Sequence, residues 1–250
     1  LNCEPTGHFA HNPEPIPQNL GEISAVMKQS KADVGFVVDP DVDRLAIICE
    51  NGEMFVEEYT LVAVADYVLQ HTPGNTVSNL SSSRALRDVT RKYNCQYNAA
   101  AVGEVNVVEK MKETAAVIGG EGNGGVIYPA IHYGRDALVG IALFLSLMAH
   151  TKKSVSALKA TYPAYSIIKQ RIDLTPQIDV DALLVAVKKE YANEEITDID
   201  GVKIDFSDGW VHLRKSNTEP IIRVYAEAHT EAEAEKLAAG VMEIVKKLTL

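Results

Sequence analysis

Short apolar runs alternate with segments of helical periodicity over about the first 160 residues, and this alternation limits the possible folds more than any other property of the sequence. The runs Val34–Val38 and Leu45–Cys49 predict two strands with a tight acidic loop between them. Tyr59–Gln70 predicts a helix, Thr76–Leu80 predicts the next strand, and Ala115–Ile118 predicts another further on. Strands and helices in this order predict an α/β layer.

A different pattern begins near residue 160, after a glycine-rich loop and a helix that starts at Asp136. Strands are grouped there with helices beside them, which predicts a small separate α+β domain. The predicted elements are the strands Ser166–Ile172, Val202–Phe206, Trp210–Arg214 and Ile221–Glu227 and the helices Val180–Tyr191 and Thr230–Leu248. The predicted fold class is therefore α/β, with mixed α/β domains followed by a small C-terminal α+β domain.

The net charge and the spacing of the cysteines limit the kinds of partner and the cellular compartment that we expect for this protein. A net charge of -10 over 250 residues argues against nucleic acid or an anionic membrane as a partner, because both attract basic surfaces. The three cysteines are far apart and form no CxxC motif, which is typical of a reducing compartment and predicts a cytoplasmic protein. The chain begins with Leu1 rather than methionine, and we expect it to be part of a longer protein.

The acidic loop carries three carboxylates at alternate positions, those of Asp39, Asp41 and Asp43. Oxygen ligands at this density suit Mg²⁺ or Ca²⁺, and Arg44 beside them can neutralise a phosphate. An EF-hand has similar acidic spacing, but it requires a glycine at the position of Arg44 and helices in place of the flanking strands. A solvated acidic turn is the remaining alternative.

Two further loops have the composition of binding loops. Gly119–Gly125 offers the side chains of Glu121 and Asn123, which can hydrogen-bond sugar hydroxyls, although it also fits a plain tight turn. Arg214–Pro220, followed by Arg223, combines guanidinium, hydroxyl, amide and backbone N–H groups in one predicted hairpin. This second loop suits a phosphate, and the alternative is an ordinary polar hairpin turn.

The order of these motifs resembles that of the α-D-phosphohexomutases: DxDxDR, then a glycine-rich loop with Glu and Asn, then RxSNTEPxxR. This superfamily includes phosphoglucomutase/phosphomannomutase and phosphoglucosamine mutase, and its members have four domains around a deep central cleft. The resemblance implies that residues 1–53 are the second half of domain 2, residues 54–161 are domain 3, and residues 162–250 are domain 4.

The same resemblance implies the roles of the site residues. Asp39, Asp41 and Asp43 would ligate Mg²⁺, and Arg44 would face the reactive phosphate. Glu121 and Asn123 would contact the hydroxyls of a hexose phosphate substrate. The substrate's non-transferred phosphate would be held by Arg214, Ser216, Asn217, Thr218 and Arg223.

In this family a phosphoserine of domain 1 exchanges its phosphoryl group with the sugar through a bisphosphate, so that the group moves between the C1 and C6 hydroxyls. The family's serine lies in a Ser-His-Asn-Pro string. The similar string beginning at Ala10 lacks the serine and lies too close to Asp39, so we interpret it as a domain 2 loop. We therefore expect the N-terminal domains of the same protein to complete the enzyme, and this chain alone to be inactive.

Two departures from the family pattern leave the identity of the sugar undetermined. Gly124-Gly125 stands where many bacterial members have Gly-His, and Ala101–Glu104 stands where several have Lys-Thr-Gly-His. Ala101 cannot act as an acid or base, and Glu104 is a candidate for part of that role. The alternatives to an isomerase are a non-catalytic phosphosugar-binding module and a metal-binding structural protein.

Overall fold

The computed structural model describes residues 1–4, 6–174, 179–216 and 219–249. The chain forms two compact units, Leu1–Pro163 and Ala164–Leu250. No helix in the described ranges is both long enough and apolar enough to span a bilayer.

The first unit begins with a turn of 3-10 helix and a short helix that covers a two-stranded sheet. Its elements are the 3-10 turn Pro17–Asn19, α1 Gly21–Gln29, β1 Val34–Val38 and β2 Leu45–Cys49. Strands β1 and β2 are antiparallel, with Val38 opposite Leu45. Met27 of α1 packs with Ala46 and Ile48 of β2, so that burial of this apolar face stabilises a helix of only nine residues.

The rest of the first unit is a four-stranded sheet with helices packed against it. The strands are β3 Thr76–Asn79, β4 Tyr97–Ala100, β5 Ile118–Glu121 and β6 Gly125–Ile127, and the helices are α2 Glu57–His71, α3 Ala85–Lys92, α4 Glu104–Glu113, α5 Ala137–Thr151 and α6 Val155–Lys159. The sheet order is β4-β3-β5-β6, in which only β6 is antiparallel to its neighbour. The carboxyl ends of β3, β4 and β5 therefore meet at one edge of the sheet, where ligand sites of α/β proteins commonly lie.

In its described residues the second unit has a five-stranded antiparallel sheet and two helices. Its elements are β7 Ser166–Asp173, α7 Val180–Glu190, β8 Glu195–Thr197, β9 Val202–Asp205, β10 Gly209–Lys215, β11 Ile221–Ala228 and α8 Glu231–Thr249. The strand order is β7-β11-β10-β9-β8. One apolar cluster joins the helices to the sheet, including Leu183, Val187, Val224 and Val241.

The predicted mixed α/β architecture with a C-terminal α+β unit is confirmed. One strand was placed wrongly: the sequence predicts Ala115–Ile118, but β5 runs from Ile118 to Glu121. Gly119 and Gly120 are the reason, because the sequence pattern treats them as loop residues. In the folded chain a Cβ on Gly119 would lie 2.7 Å from the carbonyl oxygen of Val77 in β3. The close backbone packing of the sheet therefore requires glycine here.

Candidate active site

The acidic loop connects the end of β1 to the start of β2, as the sequence predicts. One carboxylate oxygen each from Asp39, Asp41 and Asp43 lies within 4.8 Å of the other two. Asp39 is only 7% exposed, whereas the Asp41 side chain is open to solvent. The antiparallel pairing of Val38 with Leu45 closes the loop and brings the alternate side chains together.

Asp39 also determines the shape of this loop. Its Oδ1 accepts hydrogen bonds from the backbone N–H groups of Asp43 (3.1 Å) and Arg44 (3.0 Å). Its Oδ2 lies 3.5 Å from Nε of Arg44. Val42 has a φ of +60°, a left-handed conformation that is unusual for a β-branched residue. The loop is therefore held in a specific and partly strained form.

The donor set of this loop fits a hard divalent cation. Oδ1 of Asp43 is buried and has no hydrogen-bond donor among the described residues, which is an uncommon state for a carboxylate oxygen. Burial raises the pKa of Asp43 to about 6, with Arg135 opposing that shift and the carboxylates of Asp39 and Asp41 adding to it. A bound cation would supply the missing partner for this oxygen and offset the repulsion among the three acids.

The glycine-rich segment is a β-hairpin rather than a free loop. Gly119, Gly120 and Glu121 belong to β5, a turn covers residues 122–124, and Gly125 begins β6. A Cβ on Gly122 would overlap the carboxylate of the buried Glu58. The glycines are needed because backbone and side chains of neighbouring elements come very close to the hairpin.

This hairpin is bonded directly to the acidic loop. The backbone N–H of Leu45 donates to the carbonyl oxygen of Gly124 at 3.0 Å, and Arg44 forms an isolated antiparallel bridge with Gly125. Gly124 has a φ of +90°, and a Cβ there would lie 2.9 Å from the backbone nitrogen of Leu45. The predicted metal loop and the predicted sugar loop are therefore neighbours within the first unit.

Glu121 is almost completely engaged by protein donors. It is 5% exposed, and its Oε1 accepts from Nδ2 of Asn79 (2.7 Å) and from the backbone N–H of Gly103 (3.1 Å). Its Oε2 accepts from Nη1 of Arg135 at 2.8 Å. An ionised carboxylate oxygen has two acceptor positions, so Oε2 keeps one that these donors do not fill.

Asn123 lies in the turn itself and is half-buried. Its Oδ1 accepts from the backbone N–H of Gly125 at 3.1 Å, which leaves its amide NH₂ group for other contacts. Ser82 supports the same turn, because its Oγ accepts from the N–H of Gly122 (2.9 Å) and donates to Oδ1 of Asn79 (2.9 Å). By sequence alone the run Ser81-Ser82-Ser83 predicts only the start of a helix.

Arg135 is a central residue that the sequence reasoning missed. Its guanidinium group donates to Glu121, forms an ion pair with Oδ2 of Asp43, and has Nε 3.5 Å from Oε2 of Glu104. Oε1 of Glu104 also accepts from the backbone N–H of Arg135 at 2.9 Å. An arginine before the helix-capping Asp136 is unremarkable in sequence, so no local signal points to this role. The acid–base role considered for Glu104 stays a prediction.

The second unit contains the predicted phosphate-binding hairpin, between β10 and β11. Arg214 lies directly opposite Arg223, and Arg171 of β7 lies opposite Arg223 on its other side. Nη2 of Arg223 donates to Glu219 at 2.8 Å, and Nε of Arg214 lies 3.7 Å from Asp200. The three arginines thus form one row across three strands.

Ser216 ends the β10 side of this hairpin and is buried, with its backbone N–H donating to the carbonyl oxygen of Ile221 at 2.9 Å. Two further predicted phosphate-binding residues, Asn217 and Thr218, lie outside the described residues. The structure therefore brings Arg214, Ser216 and Arg223 to one end of the hairpin and does not describe the other two.

Three family models match consecutive parts of the chain. The model of phosphoglucomutase/phosphomannomutase α/β/α domain II matches residues 1–52, and that of α/β/α domain III matches residues 57–165. The model of the phosphoglucomutase/phosphomannomutase C-terminal domain matches residues 173–244.

Curated relatives show the same similarity. A phosphoglucomutase/phosphomannomutase of Thermococcus kodakarensis is 36% identical over 96% of the chain and 54% of its own length. A phosphoglucosamine/phosphogalactosamine mutase of Sulfurisphaera tokodaii is 34% identical over 95% of the chain and 53% of its own length. The chain spans about half the length of the curated relatives it matches.

A crystal structure of a phosphoglucomutase/phosphomannomutase family protein from Burkholderia thailandensis superposes with a TM-score of 0.82 at 26% identity. That match covers 95% of this chain and 52% of the other.

Proposed function

Because this chain belongs to the α-D-phosphohexomutase superfamily, we propose that it forms part of an isomerase that moves a phosphoryl group between the C1 and C6 hydroxyls of a hexose phosphate through a bisphosphate intermediate. The observation that carries the proposal is the backbone pairing of the acidic loop with the glycine hairpin, through Leu45 and Gly124. That pairing brings the carboxylates of the acidic loop, which would bind a cation, next to the hairpin that carries Glu121 and Asn123, which would bind a sugar.

In the proposed mechanism Asp39, Asp41 and Asp43 would hold Mg²⁺, since their oxygens converge and Oδ1 of Asp43 accepts no hydrogen bond from the described residues. A divalent cation held there would offset negative charge on a phosphoryl group during its transfer. Arg44 would face that group. Its side chain is about one-third exposed and lies beside the carboxylates, so it can turn toward an anion without leaving the loop.

Glu121 and Asn123 would bind hydroxyls of the sugar. The contacts of Glu121 with Asn79, Gly103 and Arg135 hold its carboxylate still and leave one acceptor position on Oε2. The side-chain amide of Asn123 can donate to a second hydroxyl. A fixed acceptor and a fixed donor on one hairpin would orient a sugar ring without large reorganisation, which favours transfer at a fixed position.

In the second unit Arg214, Ser216, Asn217, Thr218 and Arg223 would hold the substrate's non-transferred phosphate. The described members support this role because two guanidinium groups share one face of the sheet beside a hairpin turn. The substrate class is a hexose phosphate or hexosamine phosphate, in keeping with the names of the relatives from Thermococcus kodakarensis and Sulfurisphaera tokodaii.

The proposal is tested by a coupled assay on the full-length gene product, with glucose 1-phosphate or glucosamine 6-phosphate, a trace of the matching 1,6-bisphosphate and Mg²⁺. We expect turnover that EDTA abolishes and Mg²⁺ restores. The same assay on the 250-residue chain should show no turnover. A full-length product that binds these sugar phosphates and never converts them would support a non-catalytic phosphosugar-binding module instead.

A further inference from the structure

Arg135 connects the acidic loop and the glycine hairpin, which in the proposed function bind the cation and the sugar respectively. One guanidinium group reaches Asp43 of the acidic loop and Glu121 of the hairpin, and both carboxylates are largely buried. Arg135 is itself only 15% exposed. Carboxylates this shielded depend on their donors for orientation as well as for charge compensation.

The backbone around Arg135 is tied to the same two loops. The N–H of Ala137 donates to the carbonyl oxygen of Val42 at 3.1 Å, and the N–H of Asp136 donates to that of Val126 at 2.9 Å. Arg135 also forms an isolated antiparallel bridge with Ile127 of β6. The arginine therefore projects from a segment whose position is already determined by the acidic loop and by the hairpin.

Two residues near Arg135 provide the space and the negative charge for this side chain. A Cβ on Gly125 would overlap Cδ of Arg135 and lie 3.2 Å from its Cγ, so the absence of a side chain there lets the arginine cross the hairpin. Glu104 contacts both the guanidinium and the backbone N–H of Arg135. Gly125 and Glu104 are thus parts of one arrangement around a single arginine.

We propose that Arg135 is a positioning residue that holds Asp43 and Glu121 in their binding orientations, so that one side chain sets the geometry of both the cation site and the sugar site. The inference rests on the proposed function for the identity of the two ligands. It does not require Arg135 to touch either of them.

A rival explanation, in which Arg135 is only a counter-ion, predicts the opposite change in divalent-cation affinity. If Arg135 served only as a counter-ion, its removal would leave Asp43 more attractive to a divalent cation, because a competing positive charge would be gone. If it positions Asp43, its removal weakens cation binding. Lysine separates the two explanations further, because it keeps the charge and lacks the planar fork that bonds several carboxylates at once.

The experiment measures Mn²⁺ binding and, in the absence of metal, glucose 6-phosphate binding by calorimetry on the full-length gene product. The variants are Arg135→Lys, Arg135→Gln and Gly125→Ala, the last of which displaces the arginine without changing charge. Asp43→Asn and Glu121→Gln report on each site alone, and Arg91→Gln is the matched control on an exposed part of α3. Thermal unfolding of each variant identifies any that fail to fold.

We expect Arg135→Lys, Arg135→Gln and Gly125→Ala each to lower the affinity for Mn²⁺ and for glucose 6-phosphate by about tenfold. This is the size of effect expected when a carboxylate loses one charge-assisted hydrogen bond. Asp43→Asn should weaken only Mn²⁺, and Glu121→Gln only the sugar phosphate. Wild-type affinities in Arg135→Lys, or tighter Mn²⁺ binding in Arg135→Gln, would overturn the inference and leave the proposed function standing. A wild-type protein that binds neither ligand would overturn both. If Arg135→Gln does not fold, the other two variants decide the question.

Discussion

Arg214 and Arg223 lie directly opposite each other on the antiparallel strands β10 and β11, so that two guanidinium groups occupy the same face of the sheet. Like charges in directly opposite positions destabilise a sheet. Nearby acids offset part of this repulsion, with Glu219 2.8 Å from Arg223 and Asp200 3.7 Å from Arg214. An anion between the two arginines would remove the rest, which is the physical basis of the proposed phosphate site.

Replacing Arg223 with alanine should therefore raise the KM for sugar phosphates in the full-length enzyme. A charge-assisted contact contributes about 1.5–3 kcal/mol, so the expected rise is about tenfold to a hundredfold. Steady-state kinetics measure it, and Lys247→Ala is a suitable control because Lys247 forms an exposed ion pair on α8. An unchanged KM in Arg223→Ala would exclude this residue from the phosphate site.

Two substitutions of Asp39 should separate loop shape from metal binding. Asparagine keeps the Oδ1 that accepts from Asp43 and Arg44, whereas alanine removes it. We expect both variants to weaken Mg²⁺ binding by at least about tenfold, because each removes a charged ligand. Only Asp39→Ala should also lower the free energy of unfolding without metal, by about 1–3 kcal/mol as measured by urea unfolding. Equal stability of the two variants would show that Asp39 does not shape the loop.

The second unit should lose stability in mild acid through His212. Burial lowers the pKa of His212 from 6.5 to about 4, and its ring contacts the carbonyl oxygen of Asp200 at 2.7 Å. Between these two values the unfolded chain binds more protons than the folded one, so stability falls as the pH falls from 6.5 toward 4 and then levels off. The expected loss is about 3 kcal/mol.

Trp210 provides the measurement, since it is the single tryptophan of the chain and is fully buried in the same strand. Urea midpoints followed by its fluorescence should drop between pH 6.5 and pH 4 in the wild type, the interval between the two pKa values of His212. They should drop less in His212→Gln, which cannot titrate. The same pH dependence in both proteins would assign the effect to other groups.

Gly122 should tolerate alanine poorly although it lies in a turn. A Cβ there would overlap the buried Glu58, and nothing lies within 4 Å of a Cβ on Gly21. Gly122→Ala should therefore cost about 1–3 kcal/mol from overpacking. Gly21→Ala, at the start of α1, should be neutral or stabilise by up to about 1 kcal/mol. Denaturant unfolding of both variants tests the contrast, and similar values would show that the hairpin has room at Gly122.

Much of the secondary structure could be predicted because its cause is local. The apolar runs Val34–Val38 and Leu45–Cys49 are the strands β1 and β2 with no change of boundary. The helix predicted to start at Asp136 begins there because its Oδ1 accepts from the N–H of Val139, a bond that sequence spacing alone anticipates. Helix α1 was not predicted, because its stability comes from packing of Met27 on β2.

The sequence by itself determined the α/β layering, the alternate carboxylates of the acidic loop and the order of motifs that identifies the family, because these depend on residue type and spacing along the chain. Only the tertiary structure decided that the glycine segment is a hairpin bonded to that loop, and that Arg135 joins Asp43, Glu104 and Glu121. These contacts connect residues far apart in sequence. Their geometry exists only when the sheet and loops are packed, since no local preference of the chain brings such charges together.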